Sequence, residues 1–330
     1  MDLLKIPAGG FMKNILVTGA LGQIGSELVP ELRKRYGIDS VTASDIRKVP
    51  GNPAMEEGPF MLLDATSLPD LTAAVKKSHA DIIFNLTAIL SAAAESNPIA
   101  AWDVNMGSLM ATLEVARVEG CALFTPSSIG AFGLSTPKKM TPQDTIQRPA
   151  TMYGITKVTG ELLCDYYHFK YGVDARGVRY PGIISSEAPP GGGTTDYAVE
   201  IFYHALQYRK YKCFLKPDTM LDMMFMPDCI NAAVMLMEAS PERLLHRNAF
   251  NVTAMSFTPS MLAAEIRRHI PDFEITYDPD PVRQSIADSW PDSMDDSAAR
   301  VEWGWRPLCG LTEMVSTMLH RLSEKLNMKI

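Results

Sequence analysis

The stretch Asn14–Gly25, NILVTGALGQIG, runs an apolar segment into Thr18 and then sets Gly19, Gly22 and Gly25 at three-residue spacing. A β-rich run feeding a glycine-punctuated turn and then a helical pattern (Ser26 to Arg35) is the strand–turn–helix of a dinucleotide-binding unit. One glycine allows the sharp turn, one lets backbone N–H groups approach a pyrophosphate, and one lets the helix pack against the strand. The helix N-terminus then offers unpaired N–H groups and partial positive charge to the phosphates. A glycine triplet alone is equally an ordinary tight turn. Asp45 decides between the two: twenty residues past Gly25, it closes a second strand-like run (Ser40 to Ser44), where an acid accepts hydrogen bonds from an adenosine ribose.

With 330 residues, 46% hydrophobic and 21% charged, the chain has the composition of an ordinary globular protein. Its formal charge of −7 and lack of a long Lys/Arg cluster argue against a nucleic-acid partner. No apolar run reaches the ~18 residues of a membrane span, so no membrane partner is expected. The cysteines (Cys121, Cys164, Cys213, Cys229, Cys309) are scattered without a C-x-x-C pair, and no histidine has metal-ligand spacing. Neither a disulfide framework nor a metal site is expected. Residues 1–12 precede the first strand as an N-terminal extension.

Strand-like and helix-like segments alternate up to Tyr180. Long helices are expected over Pro98–Glu119 and Pro149–Tyr171, and strands over Asp81–Leu86, Cys121–Pro126 and Asp174–Tyr180. This alternation implies right-handed crossovers and a parallel sheet covered on both faces, a Rossmann-type doubly wound α/β fold. After Tyr180 the pattern changes to a Pro/Gly loop (Pro181 to Gly193) and shorter elements. The expected organisation is therefore a nucleotide-binding domain over 13–182 and a smaller α/β substrate lobe over 183–330, with some chain crossing back to the sheet. Arg209, Lys210, Tyr211 and Lys212 read as a solvated charged turn.

Tyr153 and Lys157, in Tyr-Gly-Ile-Thr-Lys, lie on one face of the second long helix. A lysine cation beside a phenol favours the phenolate, which can act as a base. The spacing alone also fits a half-buried tyrosine with a snorkelling lysine; its place in this order of elements, after a glycine fingerprint, favours chemistry. That strand ends in Ser127-Ser128, at the sheet edge that faces the ligand crevice. Ser128 is preferred over Ser127 as the hydroxyl that hydrogen-bonds the substrate oxygen.

GALGQIG, Asp45, LDATSLPDL around Asp64, NLTAILS from Asn85, PSSIGAFG from Pro126, MYGITK and RYPGIIS from Arg179 occur in one order over Ile15 to Asp228. Together they resemble the extended short-chain dehydrogenase/reductase family, in its nucleotide-sugar epimerase-like branch. PGGGTTDYAV (Pro190 to Val199), ILSAAAE after Asn85 and DSWP at Asp288 to Pro291 are similar to the L-threonine 3-dehydrogenase family within it. The resemblance implies NAD-dependent, metal-independent oxidation of L-threonine at C3 to 2-amino-3-oxobutanoate, a step of threonine breakdown to glycine and acetyl-CoA.

It also implies roles by position. Gly19, Gly22 and Gly25 match the phosphate loop, with Gln23 and Ile24 as backbone donors. Asp45 matches the ribose acid, Asp64 the adenine contact, and Leu86, Thr87 and Ala88 the strand end under the nicotinamide ribose. Ser128, Tyr153 and Lys157 match the catalytic trio, and Asn105 the anchor of a relay water. Tyr180 and Pro181 match the nicotinamide carboxamide contact, and Ser91, Gly193, Thr194, Thr195 and Trp290 the substrate contacts. The glycines and threonines after Pro190 also suit a small carboxylate by their own chemistry, or a hinge. Asp45 favours NAD over NADP by repelling a 2′-phosphate, although Arg47 just beyond it tempers that reading. The family pattern further implies a homodimer through helices 98–119 and 149–171, in the mitochondrion for a eukaryotic source and the cytoplasm otherwise.

Two other readings compete. A nucleotide-sugar epimerase or dehydratase would share the fold and the Tyr/Lys pair. A non-catalytic NAD(H)-sensing module would share the fold alone, and an intact Ser128, Tyr153 and Lys157 argue against it.

Overall fold

Strand β1 (Ile15–Thr18) is buried along its whole length and stops where the chain must turn. Gly19 adopts φ +65°, and a Cβ there would meet the backbone of Leu86 and Thr87 at 2.9 Å, so a side chain is excluded twice over. In the computed structural model, which describes residues 12–191 and 193–328, α1 (Gly25–Tyr36) follows this turn. Residues 1–11 of the expected extension, and Gly192, lie outside the described residues. Helix α1 runs through Pro30, which removes one hydrogen bond from its ladder without ending it.

The chain continues through β2 (Val41–Asp45), α2 (Pro53–Glu56), β3 (Phe60–Leu62), α3 (Leu68–Ser78), β4 (Ile82–Asn85), α4 (Ser91–Ser96), α5 (Pro98–Glu119) and β5 (Ala122–Phe124). Next come β6 (Ser127–Ser128), α6 (Met152–Tyr171), β7 (Ala175–Arg176), β8 (Val178–Tyr180) and β9 (Gly182–Ile184). The central sheet has the order β3-β2-β1-β4-β5-β7, all parallel, as expected for the doubly wound fold. Strand β1 pairs with β2 on one side and β4 on the other, so the winding direction reverses beside Gly19 and opens a crevice at the carboxyl ends of β1 and β4.

Two boundaries differ from expectation for local reasons. Helix α6 starts at Met152 rather than Pro149, because Thr151 caps it by accepting the Gly154 N–H at 3.1 Å. The single strand expected over Asp174–Tyr180 breaks at Gly177: β7 completes the central sheet, while β8 pairs with β6 and β12.

The rest of the chain forms α7 (Tyr197–Tyr208), β10 (Lys210–Cys213), β11 (Leu221–Phe225), α8 (Met226–Glu238), β12 (Phe250–Asn251), β13 (Met255–Phe257) and α9 (Pro259–Arg267). It ends with β14 (Glu274–Tyr277), α10 (Pro281–Ser289), α11 (Ser297–Trp303) and α12 (Leu311–Lys325). The expected charged turn at 209–212 is mostly strand. In β10, exposed Lys210 and Lys212 alternate with buried Tyr211 and Cys213, and the lysines pair with Glu274 on β14 and with Asp278 just beyond it. Strands β9, β11 and β13 form a third sheet, and β9 falls within the stretch expected to be a Pro/Gly loop.

Three apolar clusters hold these layers together. One lies on the α1 side of the central sheet and includes Val234 and Leu236 of α8, Phe250 of β12, and Trp303 and Trp305. A second lies under α5 and α6 on the opposite face. The third joins α7, α9, α10 and α12 to the β9-β11-β13 sheet. Chain from beyond residue 183 thus helps bury the nucleotide-binding sheet. Phe250 is fully buried, edge-on to Trp303 at 5.8 Å between centroids. Phe250→Ala is expected to cost about 3–5 kcal/mol and to lower the midpoint of one cooperative unfolding transition. A loss below about 1 kcal/mol in urea titration would show that the C-terminal segment is not part of that core.

Candidate active site

The crevice at the switch point is a cleft of about 210 Å³. Its floor is the phosphate loop, with Gly19, Gly22, Gln23, Ile24 and Gly25 on one side and Leu86 and Ala88 on the other. Among the described residues, the backbone N–H groups of Gln23 and Ile24 have no protein acceptor, which suits a bound pyrophosphate. The far wall carries Ser128, Tyr153 and Lys157 together with Tyr180 and Pro181. Ser91, Gly193, Thr194, Thr195 and Trp290 close the mouth. Seventeen of the residues singled out in the sequence therefore meet in one cleft; Asp45, Asp64, Thr87 and Asn105 do not line it.

Those four have other placements. Asp45 is buried at the end of β2, where its carboxylate accepts the N–H groups of Leu21 and Arg47, both at 3.1 Å. The Arg47 guanidinium reaches the same carboxylate at 3.4 Å but stays mostly exposed. Arg47 lines a larger groove of about 1240 Å³ that shares Gly22 and Gln23 with the cleft, the direction in which an adenosine end would extend. Asp64 accepts the Thr66 N–H and hydroxyl at 2.9 and 2.7 Å, closing a tight turn after β3. Thr87 and Asn105 line a separate cavity of about 40 Å³ behind Lys157. Asn105 accepts the Ile89 N–H at 2.7 Å and donates to Thr156 at 3.2 Å, so it pins the loop after β4 to α6.

The trio is set by close backbone approach. Ser128 Oγ accepts the Gly130 N–H at 3.1 Å, which leaves its own proton available for a substrate oxygen. Ser127 instead donates to the Glu161 carboxylate. A Cβ on Gly154 would lie 2.3 Å from the Gly130 carbonyl oxygen, and one on Gly130 would lie 3.2 Å from the Tyr153 ring. Helix α6 reaches the 128–130 segment because both positions are glycine. Lys157 Nζ donates to the Pro126 carbonyl at 2.7 Å and stands 5.4 Å from the Tyr153 ring centre. One cation thus serves both the strand end and the phenol.

The other polar groups are tied off in different ways. The Tyr180 hydroxyl donates to the Cys229 carbonyl at 2.6 Å, and burial pushes its ionisation far up, so it contributes a ring and not a base. Gly193 donates its N–H to Asp196 at 2.8 Å, so that donor is already taken. Thr194 is 1% exposed, and its hydroxyl lacks a partner among the described residues, an orphan at the cleft mouth suited to a polar ligand. Asp222 on β11, with its pKa raised to about 7 by burial, accepts the Met294 N–H at 2.8 Å and supports the segment that follows Trp290. Among the described residues no three metal-binding side chains converge.

Several contributors were not singled out from sequence: Glu161, Arg179, Gly130 and Gly154. Glu161 carries a usable signal, since it continues the Tyr153, Lys157 spacing by another four residues and so shares their helix face.

The model of the NAD dependent epimerase/dehydratase family matches residues 15–253. An uncharacterized epimerase/dehydratase of Staphylococcus haemolyticus is 53% identical over 314 residues, 95% of this chain and 99% of that relative. Among solved structures, L-threonine dehydrogenase from Clostridium difficile superposes with a TM-score of 0.94 at 56% identity, covering 95% of this chain and 98% of that one. The holo form of a GalE-like L-threonine dehydrogenase from Cupriavidus necator gives 0.91 at 49%, covering 94% and 99%. A monomeric L-threonine 3-dehydrogenase from a metagenome gives 0.90 at 45%, covering 95% and 99%.

The Asp45 carboxylate is buried at the end of β2, and the mostly exposed Arg47 guanidinium offsets its charge only in part. Steady-state kinetics is expected to give kcat/KM for NADP at least ~10-fold below that for NAD, about 1.4 kcal/mol of discrimination. Equal values would mean that Arg47 swings off Asp45 to take the phosphate.

Proposed function

This chain belongs to the NAD-dependent epimerase/dehydratase family, and we propose that within it the enzyme oxidises L-threonine at C3, giving 2-amino-3-oxobutanoate. The observation that carries the reading is the convergence of Ser128, Tyr153 and Lys157 on a cleft whose mouth is formed by Thr194, Thr195 and Trp290. The 45–56% identity to L-threonine dehydrogenases along nearly the whole chain supports it.

Tyr153 Oη takes the proton of the C3 hydroxyl. Lys157, anchored on the Pro126 carbonyl, holds its positive charge 5.4 Å from the centre of the Tyr153 ring. Ser128, with its lone pair already engaged by Gly130, donates its proton to the substrate oxygen as negative charge develops there. Gln23 and Ile24 bind the cofactor phosphates through the backbone, and Asp45 its adenosine ribose. Bound NAD supplies the hydride acceptor, and the protein supplies alignment and charge. Thr194 and Trp290 hold the amino acid, whose small size suits a cleft of about 210 Å³. Asn105 fixes the loop after β4, which would carry the nicotinamide ribose, by accepting the Ile89 N–H.

A nucleotide-sugar substrate would need cations and aromatics in the second lobe to grip a diphosphate and a base. Lys210 and Lys212 point outward from β10 and pair with Glu274 and Asp278. Threonine is therefore the better fit. The proposed division of labour assigns 13–182 to the cofactor and 183–330 to the substrate, with α8, β12 and α11 returned to the first core. The curated relative named above is bacterial, which supports a cytoplasmic placement and gives the mitochondrial one no support.

We propose that two copies associate through α5 and α6, which carry exposed Ile99, Val118, Leu162 and Phe169. A monomeric relative makes this a property to be measured rather than inherited. A mass of two chains by light scattering at micromolar concentration is expected; a mass of one chain would remove the dimer.

For the reaction, NADH formation is expected on adding L-threonine, with none from L-serine at equal rate and none from a UDP-sugar. Tyr153→Phe is expected to lower kcat by about 10²–10⁴-fold with the fold intact. NADH formation from the UDP-sugar alone, or full turnover by that variant, would overturn the reading.

A further inference from the structure

Beneath the catalytic face of α6 lies a buried ion pair that the proposed mechanism does not use. Glu161 and Arg179 are 6% exposed each, and the Arg179 fork meets the Glu161 carboxylate through Nε at 3.0 Å and Nη2 at 2.8 Å. The carboxylate also receives Ser127 Oγ and, at 2.7 Å, Gln147 Nε2. The remaining guanidinium nitrogen donates to the Gln143 carbonyl at 2.8 Å and to Asn251 Oδ1 at 3.1 Å. Four of the five guanidinium N–H groups and both carboxylate oxygens are thus engaged, the kind of pairing under which a buried ion pair is tolerated.

Its position relative to the chemistry is specific. Glu161 stands one helical turn from Lys157 and two from Tyr153 on the same face, and it lines the small cavity behind Lys157. Its partner Ser127 lies between Pro126, the acceptor of Lys157, and Ser128. Arg179 immediately precedes Tyr180 and Pro181. The pair therefore joins the three segments that carry the cleft's far wall.

We propose that Glu161 and Arg179 are positioning residues for the Tyr153–Lys157 dyad: they clamp α6 to the Pro126–Ser128 segment and to β8, and they present the dyad with a compensated pair rather than a bare charge. The inference rests on the reading of Tyr153 as the base. The other titratable groups around the pair and the dyad are Cys164, which lines the small cavity with Lys157, Asp165 beside Glu161, Tyr180 and Asp196 in the cleft lining, and Glu95 on α4, which accepts the Met152 N–H at 2.7 Å. Burial holds the Cys164 thiol and the Tyr180 phenol neutral. Asp165, raised by burial, is bonded to Asn248. Breaking the pair on one side must then place an unbalanced charge roughly two helical turns from the phenol.

The test is an ultraviolet titration of the Tyr153 phenol, read as each variant minus its Tyr153→Phe counterpart, which requires no substrate. Arg179→Met exposes the phenol to the lone carboxylate and is expected to move its midpoint up by about 0.5–1 pH unit, while Glu161→Gln moves it down by a similar amount. Arg179→Lys keeps the charge and is expected to stay within about 0.3 unit while loosening the clamp, lowering kcat more than it changes KM. Because single removals from a buried pair can prevent folding, Gln147→Lys is run alongside them. That half-buried position adds a cation against the same carboxylate and must move the midpoint down. Shifts of opposite sign support the inference. Midpoints that stay put, or move the same way in the Arg179→Met and Gln147→Lys variants, overturn it. Full turnover by Tyr153→Phe would overturn the base reading separately.

Discussion

The constraint on which the site depends is the contact between the first turn of α6 and the Gly130 carbonyl. No side chain fits between them: at Gly154 a single methyl would approach that oxygen to 2.3 Å. Helix and turn therefore touch backbone to backbone, which fixes the depth at which α6 sits. Tyr153 and Lys157 project from that helix on either side of Gly154, so their reach toward the cleft follows from the same contact. Ser128 is bound into the turn through the Gly130 N–H. The relative placement of hydroxyl, phenol and ammonium is thus a backbone property, and side-chain rotamers supply only its last step. Preorganisation of this kind is what lets fixed groups stabilise developing charge without reorganising.

Around that contact the fold divides its tasks by sheet edge. The β1/β4 switch point is compulsory in a sheet wound in both directions, and it leaves a gap in helix cover at the carboxyl ends of those strands. The gap takes the phosphate loop. The kink after β5 moves Ser127 and Ser128 out of the central sheet and onto β8, which brings them across the gap toward α6. The segment that follows Trp290 is then held from the opposite direction by Asp222, on a strand of the third sheet. Floor, wall and mouth of the cleft therefore belong to different sheets, joined by buried apolar clusters that draw on both halves of the chain.

Legibility from the sequence followed burial geometry. Strands such as Ile15–Thr18 and helices such as Pro98–Glu119 announced themselves because long apolar runs and caps left one reading. Strand β11, LDMMF, is buried on both faces and only five residues long, so it shows no alternation to detect. The run at Lys210 misled because charge was read as turn, whereas the alternation of Lys210, Tyr211, Lys212 and Cys213 is that of a strand at a sheet edge. The trio and phosphate loop stood out because their spacing is dictated by a helix turn or a backbone approach. Gly193 shows the limit of such reading: composition offers its N–H to a ligand, but the chain turns it onto Asp196. Glu161 and Arg179 stayed hidden because charged residues are read as surface until a partner eighteen positions away is placed against them.

That pair also shows why a buried charge is kept where apolar packing would be more stable. Replacing such a pair by well-packed hydrophobic residues is often neutral or stabilising, so stability alone does not explain it. An apolar pair, however, has no direction. It would fill the space between α6 and β8 without fixing the rotation of either. The guanidinium fork accepts one in-plane alignment of its carboxylate, and the remaining bonds come from three other segments: Ser127 on β6, Gln143 and Gln147 on the loop before α6, and Asn251 on β12. Rotation of α6 by even a fraction of a turn would break several of these bonds at once while hardly changing the apolar area buried. Lys157 projects from the same helix, and its distance to the Pro126 carbonyl is sensitive to that same rotation. Directional bonds one turn below the catalytic lysine therefore restrict the motion to which the site is most vulnerable.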